Sequence, residues 1–189
     1  FPLTLHLNNV TDPPENRYHR AEAAVAPDKI PLPYKEATDG EIMALLLNDD
    51  ITQQIREVFD GLKNPVHIMF FGSEKNCAYC DDTRQLAEEV AALSDLLSIE
   101  IYDMDADADL AVKYNIDKAP GLVIAAKEGE QVTDFGVRMA GIPSGHEFTS
   151  LIQDIVLVSN RDSGLNPQTR EFLKDLDKPI LLQVYVTPT

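Results

Sequence analysis

The sequence predicts an α/β fold, a mixed central sheet flanked by helices, and three observations carry that prediction. Val66-His67-Ile68-Met69-Phe70-Phe71 is a near-continuous apolar run. Such a run suits a strand buried on both faces, as at the centre of a sheet covered by helices. Downstream, Leu86, Val90 and Leu93 recur at helical spacing before a second strand at Ile99-Glu100-Ile101-Tyr102. Strand, helix and strand in that order imply a parallel pair. Finally, two strand segments, near Leu122–Ala126 and Thr133–Met139, flank a turn signal at Glu128-Gly129. That hairpin adds an antiparallel pair and makes the sheet mixed.

The elements follow in order. Six of the twelve prolines fall in residues 1–38, where apolar residues show no sustained period. Proline removes a backbone donor and clashes with the preceding turn, so residues 1–38 read as an extended, proline-rich arm. From Thr38 and Asp39 the pattern turns helical, with an N-cap candidate ahead of Glu41–Leu47, and a second helix is expected from Ile51 to about Leu62. Pro65 marks the boundary before the buried strand. Gly72–Asn76 is a loop, and a long helix is expected from Cys77 to about Ser94. After the second strand comes a short helix, about Ala106–Tyr114, then Ala119-Pro120 and the hairpin. The spacing of Phe148, Leu151, Ile152, Ile155 and Val156 is again helical. This unit spans residues 39–158.

Residues 159–189 repeat the earlier pattern. At a constant offset of 114, Gln168 matches Gln54, Arg170 matches Arg56, Glu171 matches Glu57, Leu176 matches Leu62 and Pro179 matches Pro65. Ile180–Val186 then takes the place of the buried strand. The tail is expected to be the first helix and strand of a second, truncated unit of the same kind, the chain ending at Thr189 before a counterpart of Cys77. It also begins at Phe1 rather than methionine, so an upstream part is expected as well.

Charge narrows the function. The chain of 189 residues has a formal charge of −16, and all but one of those charges belongs to residues 39–189. With no Lys/Arg cluster to neutralise phosphates, nucleic acid is a poor partner. No stretch approaches the ~18 apolar residues of a membrane span, and Phe1–Thr11 lacks both parts of a signal sequence.

Both cysteines lie in Cys77-Ala78-Tyr79-Cys80, after a buried strand and at the opening of a helix. As a redox dithiol, Cys77 at the helix N-terminus gains thiolate stability from unpaired amides and the macrodipole, and Cys80 is near enough to resolve a mixed disulfide. A metal site needs two further ligands for a closed shell; no second cysteine pair exists, and the four histidines are scattered. Two inert core cysteines remain the bland alternative, which this spacing at this junction disfavours. Glu74, Asp81 and Asp82 oppose a thiolate and Lys75 favours it, so only modest activation of Cys77 is expected. Pro120 is the second candidate. It marks a strand edge, or it is a cis bond that turns the backbone toward the cysteines. Asp103–Asp109 lacks the Gly and Glu that a calcium loop requires, having Ala108 and Tyr114 in those places, and reads as acidic capping.

Together these motifs resemble the thioredoxin/glutaredoxin fold. More narrowly, Phe135-Gly136-Val137-Arg138, Gly141–Phe148 and Val184–Thr189 look like the protein disulfide oxidoreductases of thermophilic archaea and bacteria, which have two tandem thioredoxin-like units. The likeness covers about residues 42–189. It implies that Cys77 attacks, that Cys80 resolves, and that Pro120 is the cis-proline with Ala119 supplying backbone contacts to a bound polypeptide. Tyr79 either packs against that polypeptide or covers the core. Three features depart from the pattern. Phe71 stands where thioredoxins proper have a buried Asp, Lys118-Ala119-Pro120 replaces the Thr-Val-Pro of glutathione-binding glutaredoxins, and a second active site is missing. Alkyl hydroperoxide reductase flavoproteins also have two such folds, but the first has lost its cysteines.

The expected function is therefore a thiol–disulfide oxidoreductase for protein disulfides. It needs no cofactor or metal beyond the Cys77–Cys80 pair, is regenerated by a dithiol reductant or a thioredoxin-reductase-like partner, and works in a reducing cytoplasm. The alternative is a non-catalytic thioredoxin-like scaffold that docks on a larger assembly through its arm.

Overall fold

The computed structural model describes residues 46–75 and 77–184. The expected arm, and the expected helix over Glu41–Leu47 as far as residue 45, lie outside them. Leu46 and Leu47 themselves form a bend, and their amides donate to the two Glu89 carboxylate oxygens at 3.0 and 2.9 Å. The described residues divide into two units between Ser163 and Gly164.

In the larger unit the order is α1 (Asp49–Phe59), β1 (Val66–Gly72), α2 (Cys80–Ala91), β2 (Leu97–Asp103), α3 (Ala108–Lys113), β3 (Gly121–Glu128), β4 (Gln131–Ala140) and α4 (His146–Asn160). Helix α1 starts where the Asn48 side chain accepts from the Ile51 amide, with Asp49 and Asp50 complementing the dipole. Its apolar residues Ile51, Ile55 and Phe59 are buried.

The four strands form one sheet in the order β2-β1-β3-β4. β1 runs parallel to β2 and antiparallel to β3, and β3 runs antiparallel to β4, so the sheet is mixed as expected. All seven β1 residues are buried, because β1 lies between β2 and β3 with apolar clusters packed on both its faces. Alternation then sorts the core into two layers. Val66, Ile68 and Phe70, with Leu122, Ile124 and Ala126, pack against α1, α2 and α4. Met69, Phe71, Val123 and Ala125 meet Ala111 and Tyr114 at α3. On this second face His67 is buried at the N-terminal end of β1, with Nδ1 hydrogen-bonded to Ser98 Oγ at 2.9 Å and Nε2 3.6 Å from Glu100. Burial, and then Lys127, hold its pKa below the usual imidazole value.

One long-range tie joins α4 to the loop before β1. The buried Ser159 hydroxyl accepts from the Lys63 and Asn64 amides at 2.9 and 3.1 Å and donates to the Asn64 carbonyl at 2.8 Å. The Asn64 side chain returns a bond to the Ser159 carbonyl at 2.8 Å. At β4 the register with β3 shifts between Ile124↔Val137 and Ala126↔Thr133. The intervening bulge is held by Asp134, whose carboxylate accepts from the Gly136 amide and is paired with Arg138. Gly136 has φ +84°, which suits glycine, and Phe135 is left exposed.

In the smaller unit, α5 (Pro167–Lys174) is capped by Asn166, whose side chain accepts from the Thr169 amide at 2.8 Å. The strand expected at Ile180–Val186 does not form over residues 180–184; Tyr185 and Val186 lie outside the described residues. A strand draws its backbone partners from a neighbouring strand. The smaller unit supplies no strand of its own among the described residues, and Ile180, Leu181, Leu182 and Val184 are exposed. Among the described residues no helix is long and apolar enough to cross a membrane.

Candidate active site

The site is assembled by the strand ends. β1 and β2 are parallel, so both C-termini reach the same edge of the sheet, where Gly72 pairs with Asp103. β3 runs the other way and begins there, with Gly121 opposite Phe71. β4 ends there, with Ala140 opposite Gly121. The loop carrying Cys77 to Tyr79, the start of α2, and Ala119-Pro120 therefore converge at one edge.

Cys77 and Cys80 are joined in a disulfide, with an S–S distance of 1.95 Å and Cα atoms 5.4 Å apart. The structure moves the expected helix start from Cys77 to Cys80, because residues 78 and 79 form a turn. Tyr79 is the N-cap, yet its side chain makes no cap bond. The turn is held instead by Thr83, fully buried, whose hydroxyl donates to the Tyr79 carbonyl at 2.6 Å while its amide reaches the same oxygen at 3.0 Å. Thr83 is a supporting residue that sequence reasoning missed. A threonine four residues after a helix-opening aromatic was the available signal.

The two sulfurs are in different surroundings. Cys80 belongs to the main core, at 9% exposure. Cys77 is half-buried and packs on the edge of that core with Ala119. A Cβ added to Gly72 would lie 2.8 Å from the Phe70 ring and 3.6 Å from Cys80 Sγ, so glycine lets the strand end pass close to both. Phe71 faces the second core layer, stacked on Tyr102 with ring centroids 5.1 Å apart.

The Ala119-Pro120 peptide bond is cis. The Pro120 carbonyl accepts from the Gly141 amide at 2.8 Å, tying this turn to the end of β4. Tyr79 is 56% exposed, so of its two expected positions the one covering the core is not adopted. Lys75 pairs with Asp105 at 3.0 Å, which raises the lysine pKa. The Asp103 carboxylate accepts from the Asp105 and Ala106 amides at 2.9 and 3.0 Å, which lowers its pKa, and Asp107 accepts from the Asp103 amide at 3.0 Å. Those bonds close the acidic turn between β2 and α3, whereas Asp107, the N-cap of α3, makes no side-chain cap bond of the kind the sequence led one to expect. An open groove of about 420 Å³ lies between β4 and the C-terminal half of α4, lined by Phe135, Val137, Leu157 and Asp154 among others. It faces the other end of the sheet from the disulfide.

No family model matches the chain. Among solved structures it is similar to a protein disulfide oxidoreductase from Aeropyrum pernix, 30% identical, covering 71% of this chain and 56% of that one with a TM-score of 0.59. It also superposes on the alkylhydroperoxide reductase AhpF of Enterococcus faecalis, with a TM-score of 0.62 at 23% identity, covering 70% of this chain and 62% of that one. Among curated relatives, the F-type alkyl hydroperoxide reductase component of Staphylococcus aureus is 28% identical over 145 residues, 76% of this chain. An NADH dehydrogenase of Bacillus subtilis is 25% identical over 145 residues, 77% of this chain. The chain spans about a quarter of the length of these curated relatives. The fold is thioredoxin-like, a mixed four-stranded sheet flanked by helices, and it carries a redox-type disulfide.

Proposed function

We propose that this thioredoxin-fold chain is a thiol–disulfide oxidoreductase that acts on protein disulfides through Cys77 and Cys80. The observation that carries the reading is the asymmetry of the pair, a half-buried Cys77 bonded to a buried Cys80 at the first turn of α2. In the reductive direction the Cys77 thiolate attacks one sulfur of a substrate disulfide. A Cys77–substrate disulfide forms and the other substrate sulfur leaves as a thiolate. Cys80 then attacks Cys77 Sγ, the Cys77–Cys80 bond forms, and the second substrate sulfur leaves. Two electrons pass from the protein dithiol to the substrate, and a dithiol reductant, free or held by a reductase, restores the pair.

Cys77, the less buried of the two, attacks because access as well as thiolate content limits exchange. α2 supplies unpaired amides and the positive end of its dipole beside the sulfurs, while Asp81 and Asp82 oppose that effect. Tyr79 and the Ala119-Pro120 backbone, at the same edge, are assigned to contact the substrate chain. Because both cysteines serve the redox pair, a reducing cytoplasm is the compartment that suits it.

Insulin reduction with dithiothreitol tests the reading. The protein accelerates precipitation, Cys77→Ser abolishes the acceleration, and Cys80→Ser accumulates a Cys77 mixed disulfide visible by intact mass. Undiminished turnover in Cys77→Ser refutes the mechanism.

A further inference from the structure

The buried stripe of α2 runs through Cys80, Thr83, Leu86, Ala87, Val90 and Ala91. Thr83 is the hydroxyl in that stripe, fully buried at a position that valine, with the same branched shape, would fill at no polar cost. Its Oγ1 donates to the Tyr79 carbonyl at 2.6 Å, although the Thr83 amide already gives that carbonyl the ordinary helical bond at 3.0 Å. A hydroxyl bonded four residues back adds no stability to a helix. What it does here is restrain one carbonyl. Tyr79 is the N-cap, with φ −120° and ψ 14° outside the helical range and no side-chain cap bond, and the two bonds from Thr83 fix the peptide between Tyr79 and Cys80.

That peptide is planar and trans, so its C=O and N–H point in opposite directions. With the carbonyl aimed down α2 at Thr83, the Cys80 N–H is aimed out of the first turn, the side from which the chain arrives from Cys77. The Cα atoms of the two cysteines are 5.4 Å apart. Resting on the exchange reading above, we infer that Thr83 is a positioning residue for the redox pair: through the Tyr79 carbonyl it holds and polarises the Cys80 N–H as a donor to the Cys77 thiolate of the dithiol form. A donor on the carbonyl of an amide strengthens the N–H of the same amide. A positioned N–H in turn favours thiolate over thiol. The charged groups of this edge are Glu74 and Lys75 before α2, Asp81 and Asp82 in its first turn, Asp103 and Asp105 after β2, and Asp117 and Lys118 before β3. All of them stay the same in the variants below, so a difference between variants belongs to the hydroxyl.

The test is the rate of Cys77 alkylation by iodoacetamide, located by peptide mapping, from about pH 5 to about pH 10 on the full chain in its dithiol form. Thr83→Val removes the hydroxyl and keeps the shape. Its alkylation midpoint rises by about half a pH unit, the size of a helix-terminus effect on one charge. At pH about 6 its rate falls about 2-fold, because the thiolate fraction drops about 3-fold while a more basic thiolate is the better nucleophile; at pH about 10 it is no slower than the parent. Thr83→Ser keeps the hydroxyl and stays within about 0.2 of the parent midpoint, although it loses a buried methyl and unfolds at lower urea. A purely structural role gives another pattern: the rate follows stability, or a change of access alters it equally at every pH. An unmoved midpoint in Thr83→Val, or one moved as far in Thr83→Ser, overturns the inference and leaves the exchange reading standing as long as the parent reduces insulin. A parent that reduces no insulin sinks the exchange reading and this inference with it.

Discussion

Removing the Ser159 hydroxyl is the sharpest test of how the scaffold is held. In Ser159→Ala the Lys63 and Asn64 amides lose their acceptor and the Asn64 carbonyl loses its donor, three bonds of 2.9, 3.1 and 2.8 Å made by one oxygen. A buried polar group left unmatched costs about 1–3 kcal/mol. The loop is only partly buried, so water replaces part of what is lost, and the expected destabilisation is about 2–4 kcal/mol. At about 2–4 °C per kcal/mol, the melting temperature falls by about 5–15 °C. Urea denaturation followed by circular dichroism gives the free energy, and differential scanning calorimetry gives the temperature. Asn64→Ala is the comparison, since it removes only the side-chain bond to the Ser159 carbonyl and costs about 1 kcal/mol. A Ser159→Ala protein within about 0.5 kcal/mol of the parent, or no worse than Asn64→Ala, refutes the reasoning.

Other outcomes follow from the same geometry. Gly72→Ala places a Cβ 2.8 Å from Phe70 Cε1, and Phe70 is itself buried in the core, so overpacking costs about 1–3 kcal/mol by urea denaturation; an unchanged midpoint contradicts this. His67 has a folded-state pKa below its unfolded value, so its contribution is fully present above the unfolded value near about 6.5 and is lost as pH falls toward the lowered one. His67→Asn should therefore destabilise less at pH about 5.5 than at pH about 7.5, and equal effects at the two would count against the burial of a neutral imidazole. Asp154 is shifted the other way, its pKa raised by burial, so its ionised form weighs against folding increasingly as pH rises above the unfolded carboxylate value. Asp154→Asn is expected to stabilise the protein at neutral pH and not near pH 3; a gain of equal size at both would show that charge burial is not the cause.

Much of the site was legible because its signals are local. The apolar run at Val66–Phe71 identifies the central strand, and Cys77-Ala78-Tyr79-Cys80 falls where a buried strand passes into a helix. Pro120 stands before a hairpin. What escaped is long-range or one turn deep. The Ser159–Asn64 tie joins residues 95 apart, and neither side chain signals its partner. The start of α2 shifted because Tyr79 supplies no side-chain cap, so the acids and apolar spacing that mark the helix do not fix its first turn. At Ile180–Val184 the apolar run measures what a strand would bury, whereas a strand also needs a neighbour to bond, and that information is not in the segment itself.

The bulge in β4 has a consequence for association. Among the described residues β4 is the last strand of the sheet, and an unbroken outer strand offers a row of free amides and carbonyls that another chain can extend. Here Asp134 turns back onto the Gly136 amide and onto Arg138, interrupting that row in the middle of the strand and placing a fixed ion pair across it. The Asp134–Arg138 pair and the Gly136 turn thus leave β4 without a continuous row of regularly spaced backbone groups along its outer side, which is the feature that strand-to-strand association requires.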